Sequence, residues 1–294
     1  MEEHRLIRNI VFRLIRRHIA GSTMNSALNA VKSLNGKGMN TTLTFLSESV
    51  PDPIKARYNA NTYVQLARQI SRLHLNASLS VRLSQIGFTT GTDSAGKLLD
   101  GILDASSSTV WLEGGPGVTN DQLMEVYNQK AAQYKNLGVE VPLSYYGRMD
   151  GIAKRIRPKG LVRITSRAYM AEQKHSDDKK AYKNVMKSYM DTIGMLLKRS
   201  QKVFIHEPND HLIAKIASGC NGHRNDLIFG IPFGYSARKV KELIKKRVNL
   251  DVYVPYGKDW ASYAVYGLAG SRMRGIAMAL LDGKAGGENG IPEE

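Results

Sequence analysis

Eight short apolar or β-branched runs recur along this 294-residue chain, each followed by a stretch with helical spacing, and that alternation limits the folds open to it. The runs are Asn40–Leu46, Ser78–Leu83, Thr109–Glu113, Glu140–Tyr145, Leu161–Ser166, Lys202–His206, Leu227–Ile231 and Leu250–Val254. Most are separated by roughly 25–40 residues, room for one crossover helix each. Strands joined in this way lie parallel, and right-handed crossovers roll the sheet in one direction. An open, doubly wound sheet and a closed barrel both satisfy these rules. No Gly-x-Gly-x-x-Gly turn follows the first run, and eight regular units are the number a barrel needs. The expected fold is an α/β (β/α)8 TIM-type barrel, regular or somewhat distorted, preceded by an N-terminal helix.

Local signals mark the helices. Pro51 and Pro53 after Ser49 suit a helix start, and that helix runs on toward Leu73. Asn120 is a candidate cap for the helix carrying Leu123, Val126, Tyr127 and Tyr134. Ser176 or Asp177 can cap a long helix through Lys198, Asn209 and Ser236 open the next two, and Gly138 and Gly219 lie where helices should stop. Leu6, Ile7, Ile10, Val11, Leu14 and Ile15 recur at helical spacing among Arg8, Arg13, Arg16 and Arg17. Residues 1–20 therefore read as a basic amphipathic helix, 21–283 as the barrel and 284–294 as a disordered tail rich in Gly and Glu. Residues 5–19 either pack an apolar stripe on the barrel or lie on an anionic membrane surface.

Composition narrows the partners. Lys and Arg number 42 against 26 Asp and Glu, a formal net charge of +16, which favours anionic partners. The basic residues are spread along the chain without an RNP, KH, zinc-finger or helix-turn-helix pattern, so nucleic acid is not the expected partner. Cys220 is the single cysteine, which excludes an internal disulfide and suits a reducing, cytoplasmic setting. The opening Met1-Glu2-Glu3-His4-Arg5 does not read as a signal peptide, and no apolar run reaches the ~18 residues of a membrane span.

In a β/α barrel the chemistry sits at the C-terminal strand ends and the loops beyond them. The sequence nominates Ser47, Glu48, Ser84, Gln85, Glu113, Tyr145, Tyr146, Arg148, Arg163, Ser166, Arg167, Tyr169, His206, Glu207, Tyr253, Tyr256 and Lys258. Only His206 among the histidines ends a strand, so a metal site is not expected. Lys202 stands at a strand start and no lysine lies within one, which disfavours aldolase-type chemistry. Glu48, Glu113 and Glu207 could supply two carboxylates for glycoside hydrolysis, though their spacing does not single that out. An arginine amid aromatic groups suits a planar cofactor that gains electron density on reduction. The same arginine could instead be paired with Glu113 or Glu207 and simply hold the barrel rim.

Several of these segments resemble the proline dehydrogenase family between about Gly21 and Gly283. The match runs through AGSTMNSALNAVKSLNGKGMNTTLTFLSE, SLSVRLSQIGF, RITSRAYM, FIHEPNDHLI and above all VYVPYGKDWASY at Val252 to Tyr263. The resemblance implies an FAD-dependent flavoprotein that oxidises L-proline to pyrroline-5-carboxylate and passes electrons to a quinone, peripheral to the inner face of the membrane. It implies cofactor contacts from Arg163, Ala168, Tyr169 and His206, with Arg163 beside flavin N5. It further implies substrate contacts from Arg82, Tyr253 and Tyr266, and catalytic roles for Arg163 and Tyr253. Glu48 matches the acidic end of the first strand, and Arg82 stands where the family has lysine.

Besides Arg82, the chain departs from the family at six positions. Tyr266 and Gly267 replace an Arg-Arg pair that grips the substrate carboxylate, and Trp111 replaces an aspartate. Leu143 falls at a glutamine, Ser166 at a lysine and Arg167 at the neighbouring glycine. Arg167, Arg272, Arg274 and Lys258 are the cations that could compensate. The alternative expectation is a family member that has lost proline oxidation and binds another anionic ligand or a protein.

Overall fold

A computed structural model describes residues 15–47, 52–142, 155–165, 179–199, 202–206 and 210–260. Eight parallel strands close into a barrel in chain order. They are β1 (Asn40–Phe45), β2 (Ala77–Arg82), β3 (Val110–Glu113), β4 (Leu137–Pro142), β5 (Leu161–Thr165), β6 (Lys202–His206), β7 (Leu227–Pro232) and β8 (Leu250–Tyr256). Closure is made by β1 on β8, with Asn40 through Phe45 opposite Asp251 through Tyr256. A closed ring leaves no strand edge unpaired, which is what the alternating pattern requires of a parallel sheet.

The described helices are α1 (Met24–Asn35), α2 (Pro53–Arg72), α3 (Thr92–Ala105), α4 (Asn120–Ala131), α5 (Lys179–Arg199), α6 (Asp210–Gly219) and α7 (Ala237–Lys245). Helix α2 shows how sequence makes such an element. Asp52 accepts a hydrogen bond from the Ile54 amide at 2.8 Å, and Pro53 fills the first helical position, where no amide is needed. Ala56, Asn59, Ala60, Tyr63, Leu66, Ala67 and Ile70 then recur every three or four residues as its buried face. Ala60, Tyr63, Leu66, Ala67 and Ile70 belong to one continuous core that also holds outward strand side chains such as Leu79, Val81, Val162, Ile164, Val252 and Val254. Each fully buried aliphatic side chain there contributes about 1.5–3 kcal/mol.

Three local expectations change. Strand β4 starts at Leu137, three residues before the expected start at Glu140, and Gly138 is a strand residue instead of a helix stop. The reason is close approach: a Cβ on Gly138 would lie 2.6 Å from the Trp111 ring on the adjacent strand. Thr119, not Asn120, caps α4, through a capping box with Gln122. Ser236 occupies the N-cap position of α7 without a side-chain cap bond, and α6 ends at Gly219 as expected.

Of the N-terminal segment, Ile15 is helical, Arg16–His18 form a short 3-10 turn, and Ile15 and Ile19 are buried. The chain then crosses the strand ends, where the Ala20 amide donates to Pro255 O at 2.8 Å and His18 Nδ1 lies 2.6 Å from Phe233 O. The rest of the N-terminal helix, the caps Ser176, Asp177 and Asn209, and the 284–294 tail lie outside the described residues. No helix among the described residues is long and apolar enough to cross a membrane.

Candidate active site at the barrel mouth

Successive strand side chains point to opposite faces, so the residues between the core-facing ones must fill the barrel. Here that inner set is polar and aromatic, and its contacts join strands that are not neighbours. Trp111 of β3 packs edge-on against Phe204 of β6 at 4.5 Å between centroids. The Tyr253 hydroxyl of β8 donates to Glu113 Oε1 of β3 at 3.3 Å. Arg163 of β5 reaches across to β2 and β3.

Arg163 is the centre of the group. Its side chain is 1% exposed. Nη2 bonds Glu113 Oε1 at 2.8 Å and also donates to the Ser80 hydroxyl, while Nε bonds Glu140 Oε2 at 2.6 Å. Its guanidinium carbon sits 5.1 Å from the Trp111 ring centroid and 5.8 Å from that of Tyr253. Arg82 Nε bonds the other oxygen of Glu113 at 3.1 Å, and Ser80 donates to Glu113 as well. Glu113 therefore accepts from four side chains on three other strands.

The electrostatics follow from that arrangement. Burial disfavours the charged form of Glu113, but Arg82 and Arg163 outweigh it and hold the carboxyl below its ordinary range. Glu140 moves the other way: burial and the negative charge of Glu113 raise it, against the opposing pull of Arg163. Burial, then Glu113, pushes the Tyr253 phenol far up, so it stays protonated and serves as a donor. Arg163 is kept charged by Glu140 and Glu113 despite its burial.

His206 and Tyr253 face each other edge to face, with centroids 5.0 Å apart, and His206 Nδ1 lies 3.9 Å from Glu140 Oε2. The ring is seated by Gly230 on β7, where any Cβ would overlap His206 Cδ2. Below this layer runs a line of donors: Trp111 Nε1 to Ser78 Oγ at 3.2 Å, Ser78 Oγ to Thr42 Oγ1 at 2.8 Å, and Thr42 Oγ1 to Asp251 Oδ2 at 2.7 Å. Asp251 is 3% exposed, and burial raises its carboxyl to about 6.

The loops around the mouth are tied to one another. Gln85 Nε2 donates to Phe45 O at 3.1 Å and Ser47 O at 2.9 Å, and Asn59 Nδ2 donates to Gln85 O at 2.8 Å. Tyr63 takes the Phe45 amide and donates to Ser80 O, its phenol pushed up to about 12 by burial.

Of the residues expected to act, Arg82, Arg163, His206 and Tyr253 share this mouth. Ala168, Tyr169 and Tyr266 lie outside the described residues, as do Glu48, Tyr145, Tyr146, Arg148, Ser166, Arg167 and Glu207. The pairing of Arg163 with Glu113, one of the readings open from sequence, is present. Sequence reasoning did not nominate Glu140, Ser80 or Asp251. The placing of β4 from Glu140 onward hid the first of these. The signal was there, because Val139 and Val141 are core residues and Glu140 between them must face inward.

No family model matches the chain. It is 26% identical over 254 residues to proline dehydrogenase 1 of Bacillus subtilis (strain 168), covering 84% of this chain and 83% of that one. It is 21% identical over 272 residues to the proline dehydrogenase of Deinococcus radiodurans, covering 88% and 86%. Among solved structures, proline utilization A from Bdellovibrio bacteriovorus, inactivated by N-propargylglycine, superposes with a TM-score of 0.71 at 15% identity. The superposition covers 98% of this chain and 37% of that one. The Corynebacterium freiburgense proline utilization A gives a TM-score of 0.67 at 12% identity, covering 100% of this chain and 36% of that one. The chain thus spans little more than a third of these larger proteins, and at such identities they establish the fold alone. Taken with the curated relatives, the chain is similar to the proline dehydrogenase family over most of its length.

Proposed function

We propose that the chain is a proline dehydrogenase-like flavoprotein that oxidises the ring C–N bond of L-proline or a related cyclic secondary amine. The observation that carries this reading is the convergence of Arg163, His206 and Tyr253 at one mouth, in a chain whose relatives bear the name proline dehydrogenase. A bound FAD would supply the two-electron acceptor for conversion of C–N to C=N, with a quinone as the onward acceptor.

The side chains fit such a group in one specific respect. Arg163 Nη1 is buried and has no hydrogen-bond partner among the described residues. A buried cationic donor left so costs about 1–3 kcal/mol or more, and a cofactor acceptor would offset that. Arg163 and His206 would hold the flavin, with Ala168 and Tyr169 along it. Arg82, Tyr253 and Tyr266 would face the substrate. Tyr253, locked protonated and fixed by its bond to Glu113, orients the amine ring and does not remove its proton. The basic residues within 5–19 would draw the enzyme toward an anionic membrane surface where a quinone can be met, while Ile15 and Ile19 are buried against the barrel.

A visible spectrum of the purified chain tests the reading. The expected result is a flavin band at about 450 nm that bleaches on adding the amine. A colourless protein, to which added FAD neither binds nor restores dye reduction, overturns it and leaves a barrel that takes another anionic ligand or a protein.

A further inference from the structure

We propose that the outer face of α7, with the turn carrying Arg16 and Arg17 beside its first residues, is a docking surface for an anionic lipid bilayer. The surface is built of described residues on the outside of the barrel. It extends the membrane contact proposed above to a named face, and it does not depend on which reaction the mouth performs.

The first ground is where the charges stand. Arg238, Lys239, Lys241, Lys245, Lys246 and Arg247 follow one another closely, with Glu242 as the one acid among them. A helix turns ~100° per residue, so Arg238, Lys241 and Lys245 lie within about 60° of one another, and all three are exposed. Leu243, which is buried, and the half-buried Val240 face the other way, onto the barrel core. The stripe from Arg238 to Lys245 runs roughly 10 Å along the axis, longer than one phosphate-sized ligand needs. The chain as a whole stands at +16, so acids elsewhere leave a large cationic surplus.

A second ground is that these charges work against the helix that carries them. Cations one turn apart repel each other. The N-terminal end of a helix is itself positive and favours acids, yet the first turn of α7 holds no acid and carries Arg238 and Lys239. Lys239 rests over the Tyr235 ring at 5.8 Å, whereas Arg238 is exposed. The turn at Arg16–His18 comes alongside this same end. His18 Nδ1 lies 2.6 Å from Phe233 O, and a Cβ on Gly234 would overlap Arg17 O. Exposed Arg16 and Arg17 are thereby brought next to the positive end of α7. The fold gathers cations where helix physics alone would place acids, and a negatively charged surface turns that conflict into attraction.

The third ground favours a bilayer over a nucleic acid. Ile244 is 47% exposed and lies about 60° round the helix from Lys241, at the edge of the cationic stripe. An apolar side chain there can enter the boundary between headgroups and acyl chains, while the lysine stems lie along it and keep their ammonium groups among the phosphates. A phosphodiester backbone offers nothing to Ile244. Tyr235 is half-buried beneath Lys239 and is not presented for stacking on a base. Each cation held near an anionic leaflet strengthens partitioning roughly fivefold.

Flotation of the full chain with lipid vesicles tests the inference. The expected result is capture by vesicles of equal parts phosphatidylcholine and phosphatidylglycerol, release as salt is raised, and no capture by phosphatidylcholine alone. The triple variant Arg238→Gln, Lys241→Gln, Lys245→Gln should bind the anionic vesicles roughly a hundredfold more weakly. Ile244→Ser should weaken binding several-fold and leave its salt dependence unchanged. Thermal unfolding checks that the variants fold, and Lys241→Gln alone, with a loss of roughly fivefold, serves if the triple variant does not. A parent chain that ignores the anionic vesicles overturns the inference. So does a folded triple variant that binds them as the parent does, which leaves the contact to residues 5–19. Retention on RNA without capture by vesicles overturns it in favour of a nucleic-acid face. Turnover with a soluble dye should be the same in parent and variants, so a chain that floats with the vesicles but binds no flavin upholds this surface and overturns the amine-oxidising reading alone.

Discussion

Replacing Asp251 by asparagine should leave the protein as stable or more stable at pH 8 and destabilise it near pH 4. Asp251 is 3% exposed inside the barrel, Thr42 donates to it at 2.7 Å, and Arg163 acts on it through its charge. Burial raises its carboxyl from an ordinary 3.8 to about 6. A raised folded-state value means that the native protein binds the proton more tightly than the unfolded chain does. Stability from this group is therefore greatest below its ordinary value, falls as the pH climbs from 3.8 to about 6, and stays low above. The gap corresponds to about 3 kcal/mol, at ~1.4 kcal/mol for each tenfold change in the proton equilibrium. Asparagine keeps an acceptor for Thr42 and carries no charge, but its buried amide hydrogens need partners, which can cost ~1–3 kcal/mol. The expected net change is thus a gain of about 0–2 kcal/mol at pH 8 and a loss of about 1–3 kcal/mol near pH 4, where the folded carboxyl is already neutral. Urea denaturation of both proteins across pH 4–8 reads it directly, because titrations common to the two cancel in the difference. A difference that does not vary with pH, or a variant less stable at pH 8 than at pH 4 relative to the parent, would refute the reasoning.

Two further substitutions probe the layer above. Glu113→Ala removes the acceptor shared by Ser80, Arg82, Arg163 and Tyr253 and leaves buried cations underpaired, so denaturation should show a loss of about 3–5 kcal/mol. Gly138→Ala drives a methyl group into the Trp111 ring, and overpacking of that kind should cost about 1–3 kcal/mol in the same measurement and perturb the tryptophan fluorescence.

The order of the eight strands was legible without coordinates, because each strand announces itself through local apolar periodicity and each helix through caps a few residues away. Leu161–Thr165 and Lys202–His206 fall where β-branched and apolar runs say they should. The candidate mouth was legible in part, since parallel barrels direct strand ends to one side and so bring Arg163, His206 and Tyr253 together. Strand β4 was misplaced because Leu137-Gly138 looks like a helix stop until Trp111 is seen to need the space that glycine leaves.

Sequence by itself thus determined the architecture and which side of it would carry chemistry. Tertiary structure alone decided how the charges inside are spent. Arg163 bonds Glu113 fifty residues away, and Tyr253 bonds the same carboxylate across 140 residues. Such pairs depend on strand register and on which face each residue turns inward, and a one-residue slip would send every one of those side chains outward. Periodicity is a local property of the chain, whereas the pairing of buried charges belongs to the closed barrel.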